Sequence, residues 1–459
     1  MKKNYRQVLR LICVGILLVA VFVVLVHKGA IPRFWERTAE TMEPADRLET
    51  IEIPGPQEEV KDEQTGEGSE LQSEQPVDTQ AENMQDPDHE TESQPAEETQ
   101  PQPQDNAELS SEELLSEYLA DDPRTPTEAK GIFITGAVAG TANTMPELTK
   151  MVQETGLNTM VIDIKNDAGE VTYKMGLPLS QEIGAEIRYV SDMPQLIRQL
   201  KEKGIYLIAR IVAFKDPILA EKKPEYAVKN ADGSVFHDNN GLAWVNPYNE
   251  EVWDYLIDLS KEAAALGFDE IQYDYIRFST AEGIAEADFG PEAEGKTRQD
   301  AINGFLKRAY ETLAPTGVYV SADVFGTIIC NESDGRLIGQ DYVEMAKHCD
   351  YICPMVYPSH YVNNAYGIAV PDAKPYELIH AAVADGEAKL ASAREGDASV
   401  HIAKQRPWLQ AFTATWVEGH IKYQGKQLQD QIKGAADAGV QEWLLWNASN
   451  NYDNVKSGL

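Results

Sequence analysis

Eight short runs of β-branched and aromatic residues, spaced so that a helix fits between each and the next, constrain this chain more than any other feature. They are Gly131–Thr135, Thr159–Lys165, Tyr206–Val212, Glu270–Phe278, Val318–Phe325, Tyr351–Tyr357, Pro407–Phe412 and Glu442–Asn447. Four of the helical stretches between them end at a glycine just ahead of the next run. Asn143–Thr155 precedes Gly156, Asp192–Lys203 precedes Gly204, Asn249–Leu266 precedes Gly267, and Gln427–Ala438 precedes Gly439. Glycine takes the left-handed conformation that commonly ends a helix. In the third stretch Val252, Leu256, Leu259, Ala263 and Leu266 recur at helical spacing, as a stripe facing a sheet would. A strand–helix unit repeated eight times predicts a parallel sheet closed into a (β/α)8 TIM barrel of the α/β class. The rival, an open doubly wound sheet, lacks its marker: no G-x-G-x-x-G follows the first strand, and no phosphate loop occurs.

Two segments of different character precede the repeats. Residues 1–38 hold seven basic residues and one acidic residue around an unbroken apolar run, Leu11–Val26. With Val8 and Leu9 added and Arg10 reaching the interface, that run approaches the roughly 20 residues that cross a bilayer core. Lys2, Lys3, Arg6 and Arg10 ahead of it favour a cytoplasmic N-terminus. The expectation is an uncleaved, single-pass transmembrane helix in the cell membrane, with the C-terminal domain on the extracytoplasmic side. A cleaved signal peptide is the competing reading. Against it, the run is long, ends in His27-Lys28 and lacks a small-x-small site.

Residues 39–122 hold 27 acidic and two basic residues, and no Phe, Trp, Tyr or Cys occurs from Ala39 to Glu117. Such a stretch cannot bury enough apolar surface to offset its ordering entropy, so it reads as a disordered acidic linker, extended by self-repulsion. The folded barrel is expected over residues 123–459. With a formal charge of −35, the chain gains nothing from neutralising phosphates, so nucleic acid is excluded as an expected partner. Four cysteines are too few for a disulfide framework.

In a closed barrel, functional side chains come from the C-terminal strand ends and the loops after them. Strand alternation sets Asp163 and Lys165 on the face of Val161, and Gln272 on the face of Asp274. Arg210 lies late in the third strand and Asp323 late in the fifth. Tyr357 and His360 close the sixth, and Trp446 the eighth. Charges inside apolar strands are costly unless paired. One reading is therefore a structural network in which Lys165 and Arg210 neutralise Asp163, Asp274 and Asp323. The other is catalytic: two carboxylates at one cleft divide the acid and nucleophile roles of glycoside hydrolysis. Tyr275, Tyr357, Tyr361, Trp408, Trp443 and Trp446 lie on or near the strands and suit the apolar faces of sugar rings, although each alone is explained as well by core packing. No H-E-x-x-H and no C-x-x-C occurs, so no metal or other cofactor is expected. No G-x-S-x-G marks a serine hydrolase. Cys349 and Cys353 read as buried thiols at the barrel end away from the site.

Three motifs together carry a resemblance: Asp269-Glu-Ile-Gln-Tyr-Asp274-Tyr-Ile-Arg-Phe278, Ser321-Ala-Asp323-Val-Phe-Gly326 and Met355-Val-Tyr-Pro-Ser-His-Tyr361. Over about Gly131 to Asn451 the chain resembles a bacterial family of glycosyl-hydrolase-like barrel domains, often exported or membrane-tethered. That family is distantly similar to the alpha-amylase and alpha-galactosidase barrels. In those a strand-4 Asp is the nucleophile, a role the resemblance places on Asp274. Asp323 stands where alpha-amylases carry a Glu acid, and Gln272 where they carry an Arg. The resemblance implies a glycosidase acting on a cell-envelope or extracellular polysaccharide. In this reading Asp274 and Asp323 are catalytic, and Asp163, Lys165, Arg210, Tyr357, His360 and Trp446 hold the substrate. A non-catalytic glycan-binding barrel is the alternative.

Overall fold

The computed structural model describes residues 122, 124–396 and 400–459; the Leu11–Val26 run and residues 39–121 lie outside the described residues. Among the described residues, no helix is long and apolar enough to cross a membrane.

The strands are β1 (Lys130–Ile134), β2 (Thr159–Lys165), β3 (Tyr206–Val212), β4 (Glu270–Asp274), β5 (Tyr319–Phe325), β6 (Tyr351–Met355), β7 (Lys404–Gln405), β8 (Trp408–Gln410) and β9 (Trp443–Trp446). All named pairings are parallel. β1 pairs with both β2 and β9, and β5 with β6, so the sheet closes on itself. β7 and β8 are two pieces of one seventh stave. Both pair with β6 in a single register, Lys404 against Tyr351 and Trp408 against Met355. That register sets Pro407 opposite Pro354. Neither residue has an N–H to give the ladder, which is why the stave is interrupted there. The result is an eight-stave TIM barrel.

A helix backs each stave: α1 (Thr144–Glu154), α2 (Met193–Lys201), α3 (Glu250–Leu266), α4 (Arg298–Leu313), α5 (Glu332–Ile338), α6 (Pro375–Gly396), α7 (Gly425–Asp437) and α8 (Asp453–Gly458). The four glycines expected to end helices all have positive φ, from 72° at Gly204 to 105° at Gly267. Helix α3 shows the local logic. The Asn249 side chain accepts from the Glu251 and Val252 N–H groups at its start, and Gly267 turns left-handed at its end, its N–H returning to Ala263 and Ala264.

Alternation sorts the strand residues into two cores. Ile132, Ile162, Leu207, Ala209 and Ile271 face the helices, whereas Phe133, Val161, Ile208, Tyr351, Trp408 and Trp446 face inward. The inner space is closed low in the barrel by a polar plug. Glu270, at the start of β4, accepts from Arg406 Nη2 (2.5 Å), Ser321 Oγ (2.5 Å) and Tyr206 Oη (3.0 Å), all buried. The Arg406 guanidinium lies 3.9 Å from the centre of the Tyr351 ring. Beneath it, Arg124 pairs with Asp350 at 2.7 Å and covers the Tyr319 ring. A second buried set of charged groups, Asp163, Arg210, Asp274 and Asp323, lies towards the opposite end, where the strands finish.

Candidate active site

Arg210 organises the mouth. It stands late on β3, its Nη1 2.5 Å from Asp163 Oδ1 on β2, and its Nε and Nη2 2.9 and 2.6 Å from Asp274 Oδ2 on β4. Its guanidinium lies over the Phe133 and Trp446 rings at 5.3 and 5.2 Å, and those two rings stack at 4.1 Å. One cation thus holds two carboxylates from neighbouring staves on an aromatic floor, so the structural network expected for Arg210 is present. Burial raises the Asp163 carboxyl to about 6, with Arg210 opposing the rise.

Asp274 is the last residue of β4, and the chain changes direction immediately after it. Tyr275 has φ +48°, a left-handed conformation that a bulky side chain adopts only under constraint. Its N–H donates to Asp274 Oδ1 at 2.6 Å, so both carboxylate oxygens are fixed. The Tyr275 ring is held between the Lys215 ammonium at 4.8 Å and the Arg277 guanidinium at 5.0 Å.

Asp323 lies beside Asp274. The β4–β5 register pairs Tyr273 with Ala322, so the next step along each strand brings the two aspartates level on staves about 4.8 Å apart. The environments differ sharply. Asp323 forms no ion pair among the described residues; its Oδ1 accepts from Trp408 Nε1 at 2.7 Å. Burial, and then the negative charge of Asp274, pushes its carboxyl well above the ordinary carboxylate range. The two neighbouring acids thus sit in unlike surroundings, Asp274 bonded to Arg210 and Asp323 to the Trp408 indole.

The remaining residues singled out from sequence fall in three places. Tyr357 and Trp446 line the inner cluster with Phe133 and Trp408. The Tyr357 hydroxyl is buried and has no hydrogen-bond partner among the described residues. Its proton is held more tightly than usual, by burial and then by the charges of Asp323 and Asp274. His360 is half-buried on the rim. Its Nδ1 is 2.9 Å from Ser359 Oγ, its ring packs edge-on against Tyr357, and burial lowers its pKa to about 4. Lys165 is not brought to the carboxylates. A register shift between Asp163 and Lys165 takes it out of strand alternation, and its Nζ instead meets Asp216 at 3.0 Å and the Val212 carbonyl at 2.7 Å. Among the strand aromatics, Trp443 turns to the helix layer.

Sequence reasoning missed two parts. The indole N–H of Trp408 is the one side-chain donor to the Asp323 carboxyl among the described residues, whereas the sequence marked Trp408 only as a flat apolar ring. Asp216, the true partner of Lys165, lies in the loop after β3 and caps the turn that follows by accepting from the Leu219 N–H. Its D-P-x-L setting was a readable helix-start signal. Among the described residues no group of three or more His, Cys, Asp or Glu could hold a metal ion, and Cys330, Cys349 and Cys353 are free thiols.

A family model described as "Putative glycosyl hydrolase domain" matches residues 131–452. No curated protein matches the chain. Among solved structures, a hypothetical protein from Ruminiclostridium thermocellum ATCC 27405 is 38% identical, with 42% of this chain and 97% of that chain covered and a TM-score of 0.39. The glycoside hydrolase domain of PgaB (BpsB) from Bordetella bronchiseptica is 11% identical, with 72% and 98% covered and a TM-score of 0.51. The latter likeness is one of fold.

Proposed function

The chain belongs to the putative glycosyl hydrolase domain family, and from that membership we propose that it cleaves glycosidic bonds in a cell-envelope or extracellular polysaccharide through Asp274 and Asp323. The observation that carries the reading is the unlike surroundings of these two neighbours: Asp274 is paired to Arg210, while Asp323 forms no ion pair among the described residues and has a raised pKa. Asp323 gives its proton to the glycosidic oxygen as the C–O bond breaks. Asp274 offers its carboxylate to the anomeric carbon, where positive charge develops. Water then supplies the hydroxyl to that carbon, and its proton returns to Asp323. Asp163 and Arg210 set the charge and orientation of Asp274. Tyr357, His360 and Trp446 meet the sugar, and Lys165 braces the β2 and β3 ends. The apolar Leu11–Val26 run would tether this domain at the outer face of the membrane.

Glycan binding without cleavage is the second reading. It is favoured by how little Asp163, Asp274 and Asp323 are exposed, at 3%, 4% and 2%. Reducing-end release from a panel of envelope and extracellular polysaccharides separates the two. The wild type is expected to release ends from at least one polysaccharide, and the Asp274→Asn/Asp323→Asn double variant from none. A wild type that binds a polysaccharide yet releases nothing sinks the catalytic reading.

A further inference from the structure

The aromatic lining of the mouth does not stop at Tyr357. The Phe412 ring meets the Tyr357 ring edge-on at 5.9 Å and the His360 ring at 6.3 Å. Trp416 then stacks on Phe412 at 6.0 Å with the rings 19° from parallel. Exposure rises along this series, from 1% at Tyr357 through a half-buried Phe412 to 55% at Trp416. Trp416 is the most exposed large apolar side chain among the described residues. Both Phe412 and Trp416 belong to the loop that follows the seventh stave, on the same barrel end as the carboxylates.

That loop is braced. Asp372, itself buried, accepts from Gln410 Nε2 at 3.1 Å and from the Ile421 N–H at 3.3 Å, while its carbonyl accepts from Tyr423 Oη at 3.0 Å. The Tyr423 N–H donates to Thr413 Oγ1 at 3.0 Å. An indole left open to water on a braced loop, in line with buried rings that reach the catalytic acids, exposes apolar surface that folding alone does not require. Flat rings at graded depth suit a ligand that presents successive apolar C–H faces, and a pre-positioned ring loses little entropy on binding.

We propose that Trp416 and Phe412 form an outer sugar-binding subsite, so that the ligand is a glycan chain of several units and not a single sugar. The proposal rests on the glycan reading above and adds the chain length and the residues that sense it. It is tested by affinity, which does not require turnover. The full chain, as wild type, Trp416→Ala and Trp416→Tyr, is titrated with malto-, cello- and chito-oligosaccharides of two to six units by calorimetry. The expected result is that wild-type affinity for at least one series rises with length. Trp416→Ala should lower affinity for the longest member by about tenfold and leave the shortest nearly unchanged, and Trp416→Tyr should restore most of the loss. Affinity independent of length, length dependence that survives Trp416→Ala, or no binding in any series would overturn the proposal. The two readings fail separately: length-dependent binding without bond cleavage removes the catalytic reading and keeps the subsite. Cleavage of short and long chains with equal KM does the reverse.

Discussion

The proton that Asp323 would donate in the proposed mechanism also bears on stability, and the sign can be worked out. Its carboxyl binds a proton more tightly in the folded barrel than in the unfolded chain, where an aspartate titrates near about 3.9. Between that value and the raised one, the native state carries the extra proton, so stability falls as pH rises through this window. Asp163, raised to about 6, adds to the same slope. Asp323→Asn removes one source of the slope and keeps the acceptor for the Trp408 indole. The melting temperature of Asp323→Asn minus that of the wild type is therefore expected to become more positive from about pH 4 upward. A difference that is flat with pH, measured by differential scanning fluorimetry, would show that Asp323 is not held protonated. At this scale the carboxylates and Arg210 were legible because strand parity alone turns them inward. Lys165 was misplaced because one bulge, invisible in the residue pattern, reverses parity beyond Asp163.

At the level of single staves, the start of β4 carries the greatest electrostatic stake. Arg406 is fully buried, and among the described residues its Nε and Nη1 have no hydrogen-bond partner, so the bond to Glu270 is its main compensation. Glu270→Gln leaves that cation only the more distant Glu442 carboxylate, 3.9 Å from Nη1, and should cost about 3–5 kcal/mol. Adding Arg406→Met should recover much of the loss, since an apolar side chain needs no partner there. Urea midpoints of the single and double variants check both statements; a neutral Glu270→Gln would mean that water reaches the plug. The strands themselves were largely readable, because β-branched runs ending against glycine-capped helices leave few alternatives. β2 and β3 match the expected limits to the residue. β4 stops early, at Asp274, because Tyr275 leaves the extended region. The seventh stave splits because Pro354 and Pro407 face each other, and that pairing depends on register between distant segments.

Across the whole molecule, the ring is held by its first and last strands. β9 pairs with β1 and with β8, and Trp446 stacks on Phe133 beneath Arg210. Ending the chain after Gly439 removes β9 and α8, bares the edges of β1 and β8, and takes away half of the aromatic floor. Such a truncation is expected to lose the cooperative thermal transition seen by circular dichroism; a sharp transition near that of the full chain would show that closure is not what makes the barrel stable. Closure also brings β4 and β5 acids together with β3 arginine at one mouth, and the functional account depends on the division of labour between them. The most direct test compares Asp323→Asn on two substrates bearing the sugar that the wild type releases, one with a sugar leaving group and one with a dinitrophenyl leaving group. A general acid is needed only where the departing oxygen is basic. The account predicts a kcat loss of about 10²–10⁴-fold on the sugar aglycone and little loss on the dinitrophenyl glycoside, with Asp274→Asn impaired on both. Equal losses on the two substrates, or wild-type kcat on both, would contradict it.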